Sequence, residues 1–281
     1  MTEHKNFSTN LSCTRMMALI KCVVLDLDGT LLNSGKTISP RNLQALHACQ
    51  KNGISMVVAT GRPPRAVRHL LVSEALTGFV IYLDGALTIH ESRGVVYDHR
   101  PIPAALSARI TRLAASWAPR SIISFEVRDA WYVLQPGTVD QVINDGSPHP
   151  PPQAVDDAHI QSLSPTKIII SGFPNWERIL SPFDPYVQIQ ATTDGALIQV
   201  MEKSVSKERA LSRVLDSLGM KPEEVMVFGD GLNDLGLFGF CGYSVAMGNA
   251  ADSLKRRAQY ITGTNDDDGV AVALQHLGII Q

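Results

Sequence analysis

Several short apolar runs, rich in β-branched residues, each stop at a polar cluster, and this pattern restricts the folds open to the chain. Lys21-Cys22-Val23-Val24-Leu25 runs into Asp26-Leu27-Asp28-Gly29-Thr30. Residues 54–59 run into Thr60-Gly61-Arg62-Pro63-Pro64, and Val225-Met226-Val227-Phe228 into Gly229-Asp230. Runs this short, apolar at successive positions, read as strands buried on both faces, the habit of a parallel sheet covered by helices. Helical patterns lie between them. One opens at Ser39-Pro40 and closes near Asn52-Gly53, a second covers 66–76, and Phe79-Val80-Ile81-Tyr82 follows as a third strand. Strand and helix in alternation predict a doubly wound, Rossmann-like parallel sheet of the α/β class.

The middle of the chain breaks this rhythm. Residues 89–98 alternate like a hairpin, 103–117 form an amphipathic helical pattern, and 122–127 with 131–134 read as a second hairpin. Strand patterns recur at 166–171 and 187–191, with a short helix around Trp176. Hairpins mixed with helices predict an α+β insert over 87–191, a suitable size for a small domain. The α/β core is then expected over 18–86 and 192–281, with 1–17 as a disordered leader or an upstream start before Met16 or Met17. A length of 281 residues agrees with two domains. In the second core segment, 197–201, 225–228 and 243–246 read as strands, and 206–218, 233–238 and 249–258 as helices.

Composition narrows the function classes. Lys plus Arg number 25 against 27 for Asp plus Glu, so no basic excess marks a nucleic-acid partner. The four cysteines (Cys13, Cys22, Cys49, Cys241) lack metal-ligand spacing and argue against a disulfide framework. No run approaches the ~18 apolar residues of a membrane span. A cytoplasmic protein without a membrane partner is expected.

In an open α/β sheet, ligands bind beyond the carboxyl ends of the strands. The polar residues collected there are Asp26, Asp28 and Thr30, then Thr60-Gly61-Arg62, then Asp84, then Asp230 with Asn233 and Asp234. Several carboxylates at one edge repel one another unless a cation sits among them, and hard oxygen ligands suit magnesium. Lys207, in the first turn of a helix, and the helix start after Thr60-Gly61 supply the opposite sign, which suits a phosphate. Asp26 and Asp28 are two apart, so in extended backbone both face one side. Aspartate is among the side chains that form covalent phospho-enzymes. These groups together predict a phosphoryl-transfer site.

The motifs resemble those of the haloacid dehalogenase (HAD) superfamily, and within it the Cof-type phosphatases of subfamily IIB. Asp26-Leu27-Asp28-Gly29-Thr30-Leu31-Leu32 is similar to the first motif, Ala59-Thr60-Gly61-Arg62-Pro63 to the second, Ser206-Lys207 to the third, and Gly229-Asp230-Gly231-Leu232-Asn233-Asp234 to the fourth. Ala246-Met247-Gly248-Asn249-Ala250 resembles a further segment of that branch. The motifs occur in the family's order and span nearly the whole chain from Lys21. The resemblance implies a magnesium-dependent phosphatase acting on a small phosphorylated metabolite, such as a sugar phosphate or a phosphorylated cofactor. Asp26 would be the nucleophile, forming an aspartyl-phosphate, and Asp28 the general acid/base. Leu27, Thr60, Gly61, Lys207 and Asn233 would contact the phosphate. Asp26, Asp28 (through its backbone carbonyl) and Asp230 would bind Mg2+, while Asp234 and Arg62 support the site. The insert would be a C2-type cap.

Two departures stand out. The family's third strand usually ends Asn-Gly-Ala, where this chain has Asp84-Gly85-Ala86, and Glu208 replaces a glycine common after the lysine. Rival readings are a phosphomutase, or a phospho-ligand sensor on the same fold; the presence of both Asp26 and Asp28 weighs against the sensor. Arg128-Asp129 is expected as a solvated turn, Trp117, Trp131 and Trp176 as core or interface residues, and Asp266-Asp267-Asp268 as caps of a terminal helix.

Overall fold

A computed structural model describes residues 20–71, 76, 78–134, 150–191 and 197–281. The expected leader and the start at Met16 or Met17 lie outside the described residues.

Eight strands form the first sheet, in the order β14-β13-β12-β1-β2-β3-β4-β5. They are β1 (Cys22–Leu25), β2 (Ser55–Ala59), β3 (Phe79–Tyr82), β4 (Leu87–His90), β5 (Val95–His99), β12 (Val225–Gly229), β13 (Tyr243–Ala246) and β14 (Tyr260–Ile261). From β14 to β3 every pairing is parallel, and β4 and β5 add on antiparallel. The four residues of β1 are wholly buried, as a central strand with helices over both faces requires. β1 lies between β2 and β12, so chain order runs outward on both sides of it. That reversal is the switch point where an open α/β sheet opens a crevice.

The second sheet has the order β10-β11-β9-β6-β7-β8, with β6 (Ile122–Val127), β7 (Ala130–Leu134), β8 (Gln153–Val155), β9 (Lys167–Ser171), β10 (Val187–Ala191) and β11 (Leu197–Glu202). It has its own apolar core, in which Ile110 of α3 (Ala104–Trp117), Phe125, Ile168 and Ile198 are buried. The sheets divide later along the chain than the expected limits of the insert. β4 and β5, expected at the start of the insert, extend the first sheet, and β11, expected in the core, pairs with β9 and β10.

Local chemistry sets the helix ends. Ser39 caps α1 (Pro40–Lys51) by accepting from the Asn42 amide, and Asn42 Oδ1 in turn accepts from the Ala271 amide in α9 (Gly269–His276). Ser206 caps α6 (Lys207–Leu218) through the Arg209 amide, and Gly219 ends it at φ 64. Three expectations need correction. The helix expected at 249–258 shrinks to α8 (Asp252–Lys255), because Asn249 is drawn off to bond the Gly29 carbonyl and the Asn265 amide. The acidic run does not cap α9. Asp268 sits there with φ 56 and no side-chain capping bond, while Asp266 accepts from Ser34 and Asp267 from Thr264. Trp117 is 63% exposed, so it is not a core residue.

Gly85, between β3 and β4, has φ 104, and a Cβ there would lie 2.3 Å from the Ser206 carbonyl oxygen. Gly85→Ala is therefore expected to destabilise the protein by about 2–4 kcal/mol, from backbone strain and overpacking together. Urea denaturation checks this value, and a loss under ~0.5 kcal/mol would show that the close approach can relax.

Candidate active site

Because β1, β2, β3 and β12 run parallel, their carboxyl ends lie together and define a cleft of about 380 Å³. Asp26 and Asp28 follow β1, Thr60, Gly61 and Arg62 follow β2, Asp84 follows β3, and Asp230, Gly231 and Asn233 follow β12; all of these line it. Lys207 and Asp234 sit one layer beneath, with Lys207 1% exposed and Asp234 fully buried. The side chain of Leu27 is buried, so only its main chain can meet a ligand.

Lys207 organises the floor. Its Nζ donates to Asp26 Oδ1 at 2.6 Å and to Asp234 Oδ1 at 2.8 Å. Asp234 Oδ2 accepts from the amides of Asp230 and Gly231, which fixes the loop that carries Asp230. Thr30 Oγ1 donates to Asp230 Oδ1 at 2.9 Å. Burial works against the Lys207 ammonium, but Asp26, Asp234 and Asp84 outweigh it and hold Lys207 charged, above its ordinary range. Burial also pushes the Asp26 carboxyl up, opposed by Lys207 and reinforced by Asp234 and Asp230. Asp230 is pushed up to about 6, chiefly by burial, with Asp234 adding to it.

Asp28 is held differently. Arg62 grips its carboxylate with both arms, Nε to Oδ2 at 2.6 Å and Nη2 to Oδ1 at 2.7 Å, and Lys36 Nζ adds a contact at 2.7 Å. Burial opposes them, but the hydrogen bonds from Arg62 and Lys36 win and hold the Asp28 carboxyl below its usual value. The backbone amide of Arg62 donates to Thr60 Oγ1. Asn233 donates to Asp84 Oδ1 at 3.1 Å.

The second sheet reaches this edge at two places. Lys167 Nζ bonds Asp84 Oδ2 and Gln199 Oε1, both at 2.8 Å, and Gln199 lines the cleft. Asp84 is held down at about 2: burial opposes this, but Lys167 and Lys207 prevail. Further out, Arg65 pairs with Glu126, both nearly buried, and its guanidinium lies 4.9 Å from the Trp131 ring. Asp129 accepts from the Arg65 amide and from Arg68, so the turn expected to be solvated is docked on the first sheet's helix layer. Lys36, Lys167 and Gln199 were not found from sequence. Each lies away from the motifs, and a lysine opening an apolar strand carries no local signal of its partner.

The acidic residues fit a divalent cation. Oxygens of Asp26, Asp230 and Asp234 lie within 4.8 Å of one another, all hard donors. Gly29 keeps the space open, since a Cβ there would stand 2.3 Å from Asp230 Oδ2. Asp234 is already committed to Lys207 and two amides, which leaves Asp26 and Asp230 as the carboxylates available to an ion.

A family model for haloacid dehalogenase-like hydrolases matches residues 23–274. The chain is 30% identical over 264 residues to the 5-amino-6-(5-phospho-D-ribitylamino)uracil phosphatase YcsE of Bacillus subtilis, covering 92% of this chain and 95% of that one. It is 26% identical over 265 residues to the pyridoxal phosphate phosphatase YbhA of Escherichia coli, covering 89% and 96%. A solved structure named as a HAD subclass IIB sugar phosphatase superposes with a TM-score of 0.79 at 25% identity, over 92% of this chain and all of the other. Among the described residues, no helix is long and apolar enough to cross a membrane.

Proposed function

The chain belongs to the haloacid dehalogenase-like hydrolase family and is a phosphoric monoester hydrolase, and from that premise we propose that it cleaves small phosphorylated metabolites, with magnesium, through an aspartyl-phosphate on Asp26. The observation that carries this reading is the Asp26 carboxylate at the floor of the cleft, held by a buried, charged Lys207 and accompanied by Asp28. A cleft of about 380 Å³ suits a small ester rather than a polymer. The named relatives act on a phosphorylated ribitylaminouracil and on pyridoxal phosphate, both in this class.

Asp26 attacks phosphorus as the ester P–O bond breaks, and the departing oxygen takes a proton from Asp28. Asp28 then takes a proton from water, whose oxygen attacks phosphorus, releasing phosphate and restoring the Asp26 carboxylate. Thr60, the Gly61 backbone and Asn233 bind the phosphoryl oxygens, and Lys207 neutralises charge that grows on them. Asp28 serves as an acid once the Arg62 fork and Lys36 release it, since both favour its ionised form. Asp26, Asp230 and the Asp28 main-chain carbonyl would hold magnesium, which supplies Lewis-acid charge neutralisation at the phosphate when bound. The second sheet acts as the cap, placing Gln199 over the cleft and limiting water.

Phosphate release from a panel of phosphorylated metabolites, with magnesium and then with excess EDTA, tests this. Release from a few members, falling at least about hundredfold in EDTA, is expected. Release undiminished by EDTA would contradict the metal assignment, and no release by folded protein would contradict the substrate class.

A further inference from the structure

The chemistry above leaves unused an ion pair that joins the two sheets at the cleft. Lys167, the first residue of β9, is 2% exposed, and its ammonium donates to Asp84 and Gln199 at 2.8 Å and, at 3.5 Å, to the Gly61 carbonyl. Asp84 and Gln199 both line the cleft, and Gln199 is the one described residue of the second sheet that does so. With Lys167 donating to its carbonyl oxygen, the Gln199 amide keeps its two N–H donors to offer to a ligand. With Asp84 against it, Lys167 offers no uncompensated charge. The other cations at the described part of the cleft are engaged as well: Lys207 by Asp26 and Asp234, Arg62 and Lys36 by Asp28.

We propose that Asp84, Lys167 and Gln199 act as one unit that selects the leaving group. The ion pair cancels charge and positions the Gln199 amide, so esters whose leaving group presents a neutral oxygen acceptor are taken and those carrying a second anion are refused. This rests on the phosphatase reading. Gln199 is the contacting residue, and Asp84 and Lys167 are positioning residues. Selection here works partly by withholding a cation from the wrong substrate.

The two ends of the pair make opposite predictions. Asp84→Asn leaves Lys167 uncompensated beside the cleft, and Lys167→Met leaves Asp84 so. For a sugar monophosphate and the bisphosphate of the same sugar, the ratio of kcat/KM values is expected to move about tenfold toward the bisphosphate in Asp84→Asn, and away from it in Lys167→Met. The double variant, which removes both charges, is expected to return toward the wild-type ratio even if a single variant folds poorly. Gln199→Met is expected to raise KM for the sugar monophosphate more than for phenyl phosphate, which lacks hydroxyls. Shifts in the same direction, an unmoved ratio, or a double variant that stays shifted would overturn the selector while phosphate release by wild type upholds the phosphatase. Release by folded wild type from no member of the metabolite panel would overturn both.

Discussion

Asp26→Asn is expected to abolish turnover while leaving the fold intact. The substitution is nearly isosteric, so the packing of the fully buried β1 that precedes it is undisturbed. An amide is no anionic nucleophile toward phosphorus, and loss of the attacking group in such sites costs at least about 10⁴-fold in kcat. Stability changes little because two effects oppose each other. Lys207 loses one partner but keeps Asp234, while the crowding of Asp26 against Asp234 and Asp230 disappears. Phosphate release and thermal melting of the same preparation check both halves. Wild-type-like activity in this variant would remove Asp26 from the nucleophile's role.

Lys207→Met is expected to damage fold and activity together. Lys207 is 1% exposed and is the ammonium between Asp26 and Asp234. Removing one member of a buried ionic cluster leaves uncompensated charge, at a cost of about 3–5 kcal/mol, and losing the cation beside the phosphoryl group lowers kcat by about 10³-fold. The sign of the pH dependence follows from the same groups. Burial raises the Asp26 carboxyl in the folded state and Lys207 opposes it, so without Lys207 that carboxyl is pushed further up and the folded variant binds more protons than folded wild type. The deficit relative to wild type is then largest above the raised Asp26 range and shrinks as pH falls and Asp26 protonates in the folded state. Urea denaturation at neutral and mildly acidic pH measures this. A deficit that grows on acidification would mean that Asp26 does not depend on Lys207 for its charge.

Much of the first sheet and most of the cleft were legible because the signal is local. A run such as Cys22–Leu25 that is apolar on both faces and then meets Asp26 declares a buried strand and its functional end within a few residues. What escaped depends on partners far away in sequence. Leu197–Glu202 has the same apolar composition whichever sheet accepts it, and the decision comes from its pairing with Lys167–Ser171 and Val187–Ala191. The helical propensity of 249–258 yields to Asn249, which bonds Gly29 and Asn265 across the site. Asp84 was visible as a departure from the family's asparagine, but its meaning was not. Its compensation, Lys167, stands 83 positions away and belongs to the other sheet.

Covalent catalysis by Asp26 is open to a direct test by single turnover. Excess enzyme with magnesium is mixed with a radiolabelled phosphomonoester, stopped in acid at successive times, and digested. Label is expected to appear and then decay on the peptide containing Asp26, ahead of free phosphate, and to be absent in Asp26→Asn. Label on a different peptide, or label that forms undiminished in Asp26→Asn, would contradict it.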